Sequence, residues 1–441
     1  MSLVAERVTR VSTSAPPLRA IGVSKTYRTP DHIGRLVLEN IDFTLRDGEI
    51  VAILGKSGAG KSTFLRTLAG LLPPSDGRIE YRGQPVTGPV RGIAMVFQSF
   101  ALFPWLSVLS NVELGLEAQG VSAAERRRRA VAAIDLIGLD GFESAYPKEL
   151  SGGMQQRVSF ARALVVNPDI LLLDEAFSQL DVLTAETLRN DLLDLWLERR
   201  ISTKAVLMVS HNIEEAVDMA DRILIFSSDP GRISAELPVH LPHPRSPDDA
   251  PFRQIVDQVY TLLTTVPGRD RRGVKPEPIG VGYRLPGAAV QQLSALIEKL
   301  SEEPYNGRAD LPHLADEENL AMDELLPLIE LLQLLGFANI SGGDIELTMA
   351  GRRYAEADML SRKQIFAEVL LKQVPLAAHI RRVLDERPGH RAPAARFLRE
   401  LEDHLSEEEA ERVLDTVISW GRHAEVFAYD YDSEVLSLEN F

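Results

Sequence analysis

Three short apolar runs stand out in the first half of the chain: Ile50-Val51-Ala52-Ile53-Leu54, Ile170-Leu171-Leu172-Leu173 and Ala205-Val206-Leu207-Met208-Val209. None alternates with polar positions. Each therefore reads as a strand covered on both faces, as strands of a parallel sheet are. Phe64-Leu65-Arg66-Thr67-Leu68-Ala69 reads as a helix behind the first run. Val158, Ala161 and Leu164 fall at helical spacing behind Ser151, a residue suited to capping. From residue 18 to about 240, strand-like and helix-like segments alternate, which predicts an α/β fold with a mostly parallel core sheet. An amphipathic helix is expected at Phe252, Ile255, Val256, Val259, Leu262 and Leu263. Residues 266–280 are dominated by Pro, Gly and charge and read as a linker.

Beyond the linker the pattern becomes mainly helical. Helices are expected near residues 290–300, 311–320 and 323–335. A hairpin follows, from Phe337-Ala338-Asn339-Ile340 through Ser-Gly-Gly-Asp to Ile345-Glu346-Leu347-Thr348. A weak second copy has helices near 365–386, 394–404 and 407–420. Its hairpin would pair Glu425-Val426-Phe427-Ala428-Tyr429 with Val435-Leu436-Ser437-Leu438. Helices followed by a two-stranded hairpin predict a winged-helix-like module, here in tandem.

The chemistry concentrates where the apolar runs end. Gly55-Lys56-Ser57-Gly58-Ala59-Gly60-Lys61-Ser62-Thr63 fits G-x-x-x-x-G-K-[ST] and lies between a strand and a helix, the context such a phosphate-binding loop requires. Its glycines let backbone N–H groups wrap an anion, and the helix N-terminus adds partial positive charge. Lys61 can reach the outer phosphates, and the Ser62 hydroxyl can ligate Mg²⁺. The second run ends in Asp174-Glu175, where Asp174 would hold Mg²⁺ and Glu175 would polarise an attacking water. The third ends in Ser210-His211, which sets an imidazole at the same edge of the sheet. Taken singly, each of these is also an ordinary strand end, a capped helix or a structural histidine; their order along one chain is what gives them weight.

That order, with Gln98 and Leu150-Ser151-Gly152-Gly153-Met154 between the loop and the acid pair, resembles the ATP-binding cassette ATPases. The resemblance runs from about residue 18 to about residue 266. It implies an ATP- and Mg²⁺-dependent ATPase, with Tyr27 stacking on adenine and residues 55–63 holding the phosphates. Ser62, Gln98 and Asp174 would face the metal, and Glu175, His211, Lys61 and Gln98 would serve the chemistry. Ser151, Gly152 and Gly153 would close over the ATP of a second copy, and Ser178-Gln179-Leu180-Asp181 would cross that dimer interface. Ala101-Leu102-Phe103-Pro104-Trp105 and Ser-Gly-Gly-Met-Gln-Gln-Arg are similar to the nitrate/sulfonate/taurine importer type. The implied partners are a homodimer mate, permease subunits and, through them, a substrate-binding protein. Ala176 and Gln179 depart from the usual pattern without removing a catalytic group. The expected division is 18–266 for the ATPase, 267–285 for the linker and 286–441 for an accessory domain, which resembles one appended to some importer ATPases.

Composition narrows this further. The 441 residues contain no Cys, so disulfides and Cys-ligated metals are excluded. No apolar run approaches the roughly 18–20 residues of a spanning helix, and residues 1–17 lack a signal-peptide core. The expectation is a peripheral protein on the cytoplasmic face of the membrane, held there by a partner and not inserted. The net charge of −16 is uneven. From Val281 onward 16 Lys/Arg stand against 30 Asp/Glu, compared with 32 and 34 before it. Because duplex binding rests largely on cations neutralising phosphates, the acidic module is expected to bind protein and no nucleic acid. Two other readings compete: a soluble ATPase switch without a permease, and an ATP-responsive DNA-binding regulator. The Ala-Leu-Phe-Pro-Trp segment counts against the first and the acidity against the second. The run Arg126–Arg129 is expected to be a solvated helical face.

Overall fold

The computed structural model describes residues 15–438, apart from 30–31, 229, 265–282, 284, 319, 404 and 406. Most of the expected linker therefore lies outside the described residues. By internal contacts the chain divides into two units, Met1–Arg28 with Leu36–Phe252, and Thr29–Arg35 with Arg253–Phe441.

The first unit opens with β1 (Leu18–Thr29), β2 (His32–Leu45), β3 (Ile50–Gly55) and α1 (Lys61–Leu68). Then come β4 (Asp76–Tyr81), β5 (Gln84–Pro85), β6 (Ile93–Val96), α2 (Val108–Ala118), α3 (Ala123–Leu136) and α4 (Gly152–Leu164). β7 (Ile170–Asp174), α5 (Val182–Leu197), β8 (Ala205–Val209), α6 (Ile213–Met219), β9 (Arg222–Ser227) and β10 (Arg232–Pro238) complete it. The three apolar runs are β3, β7 and β8, and every residue in them is buried. They sit within one six-stranded sheet, β10-β9-β3-β8-β7-β6, parallel except for the β10–β9 edge pair. A second sheet, β2-β1-β4-β5, was not foreseen; its β1–β4 and β4–β5 pairs are antiparallel. Phe64 of α1 seats the helix on the core, with its ring 5.9 Å from Phe43 and 5.5 Å from Phe226. The parallel strands all deliver their C-terminal ends to one edge, and the candidate residues follow there.

The second unit contains α7 (Ala250–Thr264) from Arg253 onward and two copies of one pattern. The first copy is α8 (Val290–Ser301), β11 (Arg308–Asp310), α9 (Leu311–Glu317), α10 (Met322–Leu334), β12 (Ala338–Ser341) and β13 (Asp344–Leu347). α11 (Met349–Glu356) and α12 (Met359–Gln373) lead to the second: α13 (Pro375–Glu386), β14 (Arg391–Pro393), α14 (Ala394–Glu402), α15 (Glu407–His423), β15 (Ala428–Asp430) and β16 (Val435–Ser437). The sheets have matching orders, β11-β13-β12 and β14-β16-β15. Each hairpin thus gains a third, three-residue strand that the pattern did not announce. The single helix expected over 365–386 is two helices. Val374, between them, is extended, because Pro375 disfavours helical backbone in the residue before it while suiting the first turn of the next helix.

α10 is buried nearly all round, through Leu325, Leu326, Leu328, Ile329, Leu331, Leu332 and Leu334. A helix so enclosed has no face left to enter a groove of DNA. α15 exposes Glu407, Glu411, Arg412, Asp415 and Arg422, a mixed face. Trp420 of α15 is 1% exposed and donates Nε1–H to the Ala288 carbonyl at 3.3 Å. We predict that Trp420→Ala removes about 3–5 kcal/mol from the second unit. Scanning calorimetry of the full chain should show one transition moved down; an unchanged thermogram would refute the packing.

Candidate active site

The site is assembled from the ends of β3, β7 and β8. Gly55 closes β3 so near to β9 that an added Cβ would lie 2.7 Å from the Phe226 carbonyl oxygen. Gly60 caps α1 in the left-handed region, φ 84°, and a Cβ there would meet Leu38 at 2.8 Å. Between them Lys56 is half-buried, Ser57 and Gly58 are exposed and Ala59 is buried. Lys61 is 5% exposed and folds back on its own loop, donating to the Gly55 carbonyl at 2.6 Å and the Lys56 carbonyl at 3.1 Å. The next residue, Ser62, donates its hydroxyl to Asp174 Oδ1 at 2.7 Å, and Arg66 Nη2 lies 3.6 Å from Asp174 Oδ2. Thr63 accepts at its carbonyl from the Thr67 hydroxyl, within α1.

Glu175 leaves β7 with φ 51°, a conformation uncommon for a residue with a Cβ and concentrated at functional sites. Its N–H is held by the Val209 carbonyl at 3.1 Å and its own carbonyl accepts from the Ser178 hydroxyl at 2.9 Å. The carboxylate accepts from Gln98 Nε2 at 2.9 Å and lies 3.9 Å from His211 Nδ1. Lys61, Ser62, Gln98, Asp174, Glu175 and His211 are thus brought to one edge of the sheet. The neighbouring Ser62 hydroxyl and Asp174 carboxylate are hard oxygen donors and suit a small divalent cation.

The remaining candidates stand apart from this cluster. Tyr27 is on β1, 43% exposed, with the Lys25 ammonium 5.4 Å from its ring centroid. Ser151 caps α4, accepting from the Met154 N–H at 3.3 Å. A Cβ added at Gly152 would meet Phe100 and Leu180, and one at Gly153 would meet Thr184; neither would meet the phosphate loop within 4 Å.

Several supporting residues gave no signal in the sequence. Arg162 of α4 donates to the carbonyls of Ala101 at 2.6 Å and Phe100 at 2.9 Å, fixing two residues whose φ values are positive. Asn111 of α2 is wholly buried and holds the Phe103 N–H and the carbonyls of Phe103, Leu106 and Ser107. The two together hold out Phe103 and Trp105, 42% and 69% exposed, with rings 5.4 Å apart. Gln156 donates to the Ala176 carbonyl at 2.6 Å, tying α4 to the turn after Glu175.

Residues 38–178 match the family model described as ABC transporter, and residues 312–430 match the C-terminal AAA-associated domain. The chain is 47% identical over 207 residues to the nitrate import ATP-binding protein NrtD of Synechocystis sp., covering 47% of this chain and 77% of that one. It belongs to the ABC transporter ATP-binding proteins. The taurine import ATP-binding protein TauB of Burkholderia pseudomallei is 48% identical over 198 residues, 45% of this chain and 75% of its own. A solved dimeric ATP-binding cassette bound to ADP and Pi is 33% identical, with TM-score 0.46, covering 51% of this chain and 99% of that one. As a cassette of this family the chain binds and hydrolyses ATP.

Asn111→Ala would remove the side-chain partner of the Phe103 N–H and of the Phe103, Leu106 and Ser107 carbonyls, of which those of Phe103 and Ser107 keep a backbone donor. We predict a loss of about 1–3 kcal/mol and faster proteolytic cleavage around Trp105. Cleavage at the wild-type rate would show that Asn111 does not hold this segment.

Proposed function

We propose that the chain is the ATPase subunit of an importer for a small oxyanion of the nitrate or sulfonate class. Similarity to the nitrate import protein NrtD and the taurine import protein TauB supports the cargo class. The observation that carries the chemistry is Glu175, set in the left-handed region with Gln98 and His211 around its carboxylate. Residues 55–63 hold the triphosphate of ATP through backbone N–H groups, and Lys61 swings from its carbonyl partners to the outer phosphates. Ser62 and Asp174, with Gln98 held on the adjacent Glu175, would hold Mg²⁺, which would neutralise charge on the phosphates. Glu175 polarises water for in-line attack, and His211 orients the γ-phosphate. Tyr27 stacks on adenine.

Two copies form the working unit in this reading. Ser151 caps α4, and a Cβ added at Gly152 or Gly153 would meet Phe100, Leu180 or Thr184, which suits residues that serve the ATP of the other copy. The exposed Phe103 and Trp105 supply a surface for a permease, which favours the importer over a free-standing ATPase switch. Among the described residues no helix is long and apolar enough to cross a membrane, so attachment to its cytoplasmic face falls to that permease, which connects to a substrate-binding protein. Residues 18–266 do the chemistry, 267–285 join, and 286–441 regulate. The enclosed α10 and the excess of acids support docking to protein in place of nucleic acid.

Glu175→Gln should retain ATP binding while turnover falls by about a hundredfold or more. Lys61→Ala should weaken binding itself. Equilibrium nucleotide binding and steady-state hydrolysis separate the two, and undiminished turnover in Glu175→Gln would overturn the assignment. Truncation after Gly280 should leave ATP binding intact and change the transport rate in reconstituted vesicles. Loss of ATP binding on truncation would make the C-terminal unit part of the catalytic fold.

A further inference from the structure

Lys25 and Tyr27 stand two positions apart on β1 and so share one face of the strand. The Lys25 ammonium lies over the Tyr27 ring, 5.4 Å from its centroid, and donates to the Pro73 carbonyl at 2.7 Å. We propose that Lys25 and Ser75 are positioning residues for the nucleotide base. They hold the Tyr27 ring in a fixed place relative to α1, with the ammonium on one face of the ring and the base on the other. This rests on the reading of Tyr27 given above.

On the β4 side, the ladder of β1 ends at Ser24, opposite Asp76 and short of Tyr27. Ser75 continues the hold from there. Its hydroxyl accepts from the Thr26 N–H at 2.9 Å and donates to the Thr26 carbonyl at 3.2 Å. Its own N–H donates to the Ser24 carbonyl at 2.8 Å. Thr26, between Lys25 and Tyr27, is therefore gripped through both of its backbone groups, while Pro73 takes the Lys25 side chain.

The grip reaches the phosphate end through α1. The Leu71 and Leu72 N–H groups both donate to the Arg66 carbonyl, at 3.0 and 3.3 Å, and fold the chain back on the last turn of that helix. Pro73 and Ser75 follow at once. Since α1 opens at Lys61, one helix begins at the phosphate loop and ends at the mount of Tyr27. The spacing from phosphates to base is then set by a rigid element. Tyr27 is 43% exposed and so keeps ring surface for a ligand. A cation over an aromatic face is held by the ring quadrupole, and a ring already immobilised loses less freedom when a base stacks on it. The phosphates do not touch the ring, so the two residues should act on the base alone.

The test is equilibrium binding of ATP and of inorganic tripolyphosphate, which has the phosphates without the base, to the full chain. Divalent cations are chelated so that ATP is not consumed. Lys25→Met keeps the stem and loses the ammonium. It should weaken ATP about three- to tenfold and tripolyphosphate by less than about twofold. Ser75→Ala should show the same selectivity, with ATP weakened about twofold or more. Lys25→Arg, which restores a cation for the ring and a donor for Pro73, should bind ATP within about twofold of wild type. Unchanged ATP affinity in Lys25→Met, an equal loss for the two probes, or a Lys25→Arg as weak as Lys25→Met overturns the proposal. If Lys25→Met does not fold, Ser75→Ala decides by the same two probes. Tyr27→Ala is measured beside them. Wild-type ATP affinity there would sink the reading of Tyr27, whereas a base-selective loss in Tyr27→Ala with unaltered Lys25→Met and Ser75→Ala would sink only this inference.

Discussion

One hydrogen bond organises the catalytic edge: Ser62 Oγ to Asp174 Oδ1, 2.7 Å. It joins the N-terminus of α1 to the end of β7, 112 residues further along the chain. The bond is possible because β3, β7 and β8 are buried on both faces and run parallel, so their polar successors emerge together. A buried carboxylate at this point would be costly alone. Asp174, 3% exposed, is instead met by the Ser62 hydroxyl and the Arg66 guanidinium. Other residues of the candidate site are then placed by short links from that sheet: Glu175 by the Val209 carbonyl, Ser210, next to His211, by the Ile53 carbonyl, and Gln98 just beyond β6.

The second unit solves a different problem with repetition. Both copies run helix, strand, helix, helix and hairpin, and in both the middle strand of the sheet is the last in sequence. Ile345 lies between Ala309 and Ile340, as Leu436 lies between Ala392 and Tyr429. A small apolar residue on the short strand lets the helices close over the hairpin. The price is a reading helix, α10, consumed by the core, which leaves charge and outer faces as the means of recognition.

Much of this was legible in the residues. Short unbroken apolar runs suit strands buried on both faces, and a glycine-rich loop between strand and helix has one common use. The tandem pattern was visible in helix spacing and in two turn-bounded hairpins. Short strands such as β11 and β14 were not, because three residues carry no periodicity and form only by pairing with a distant partner. The break at Val374 was in principle readable from Pro375, but the apolar spacing on either side continues through it. Asn111, Arg162 and Gln156 were silent for a common reason. Their partners are backbone groups placed by the fold, and hydrogen bonds to backbone leave no residue-type signature. Arg162 and Phe100, for example, are 62 positions apart.

Ser62 and Asp174 together are proposed as the cation end of the ATP site. Mn²⁺ can stand in for Mg²⁺ as a paramagnetic probe of oxygen ligands. Electron paramagnetic resonance of the full chain with Mn²⁺ and ATP, compared between wild type and Ser62→Ala, tests it most directly. An immobilised, protein-bound Mn²⁺ signal is expected in wild type, and it should be lost or markedly altered in Ser62→Ala while ATP remains bound. Identical spectra from the two proteins would contradict it.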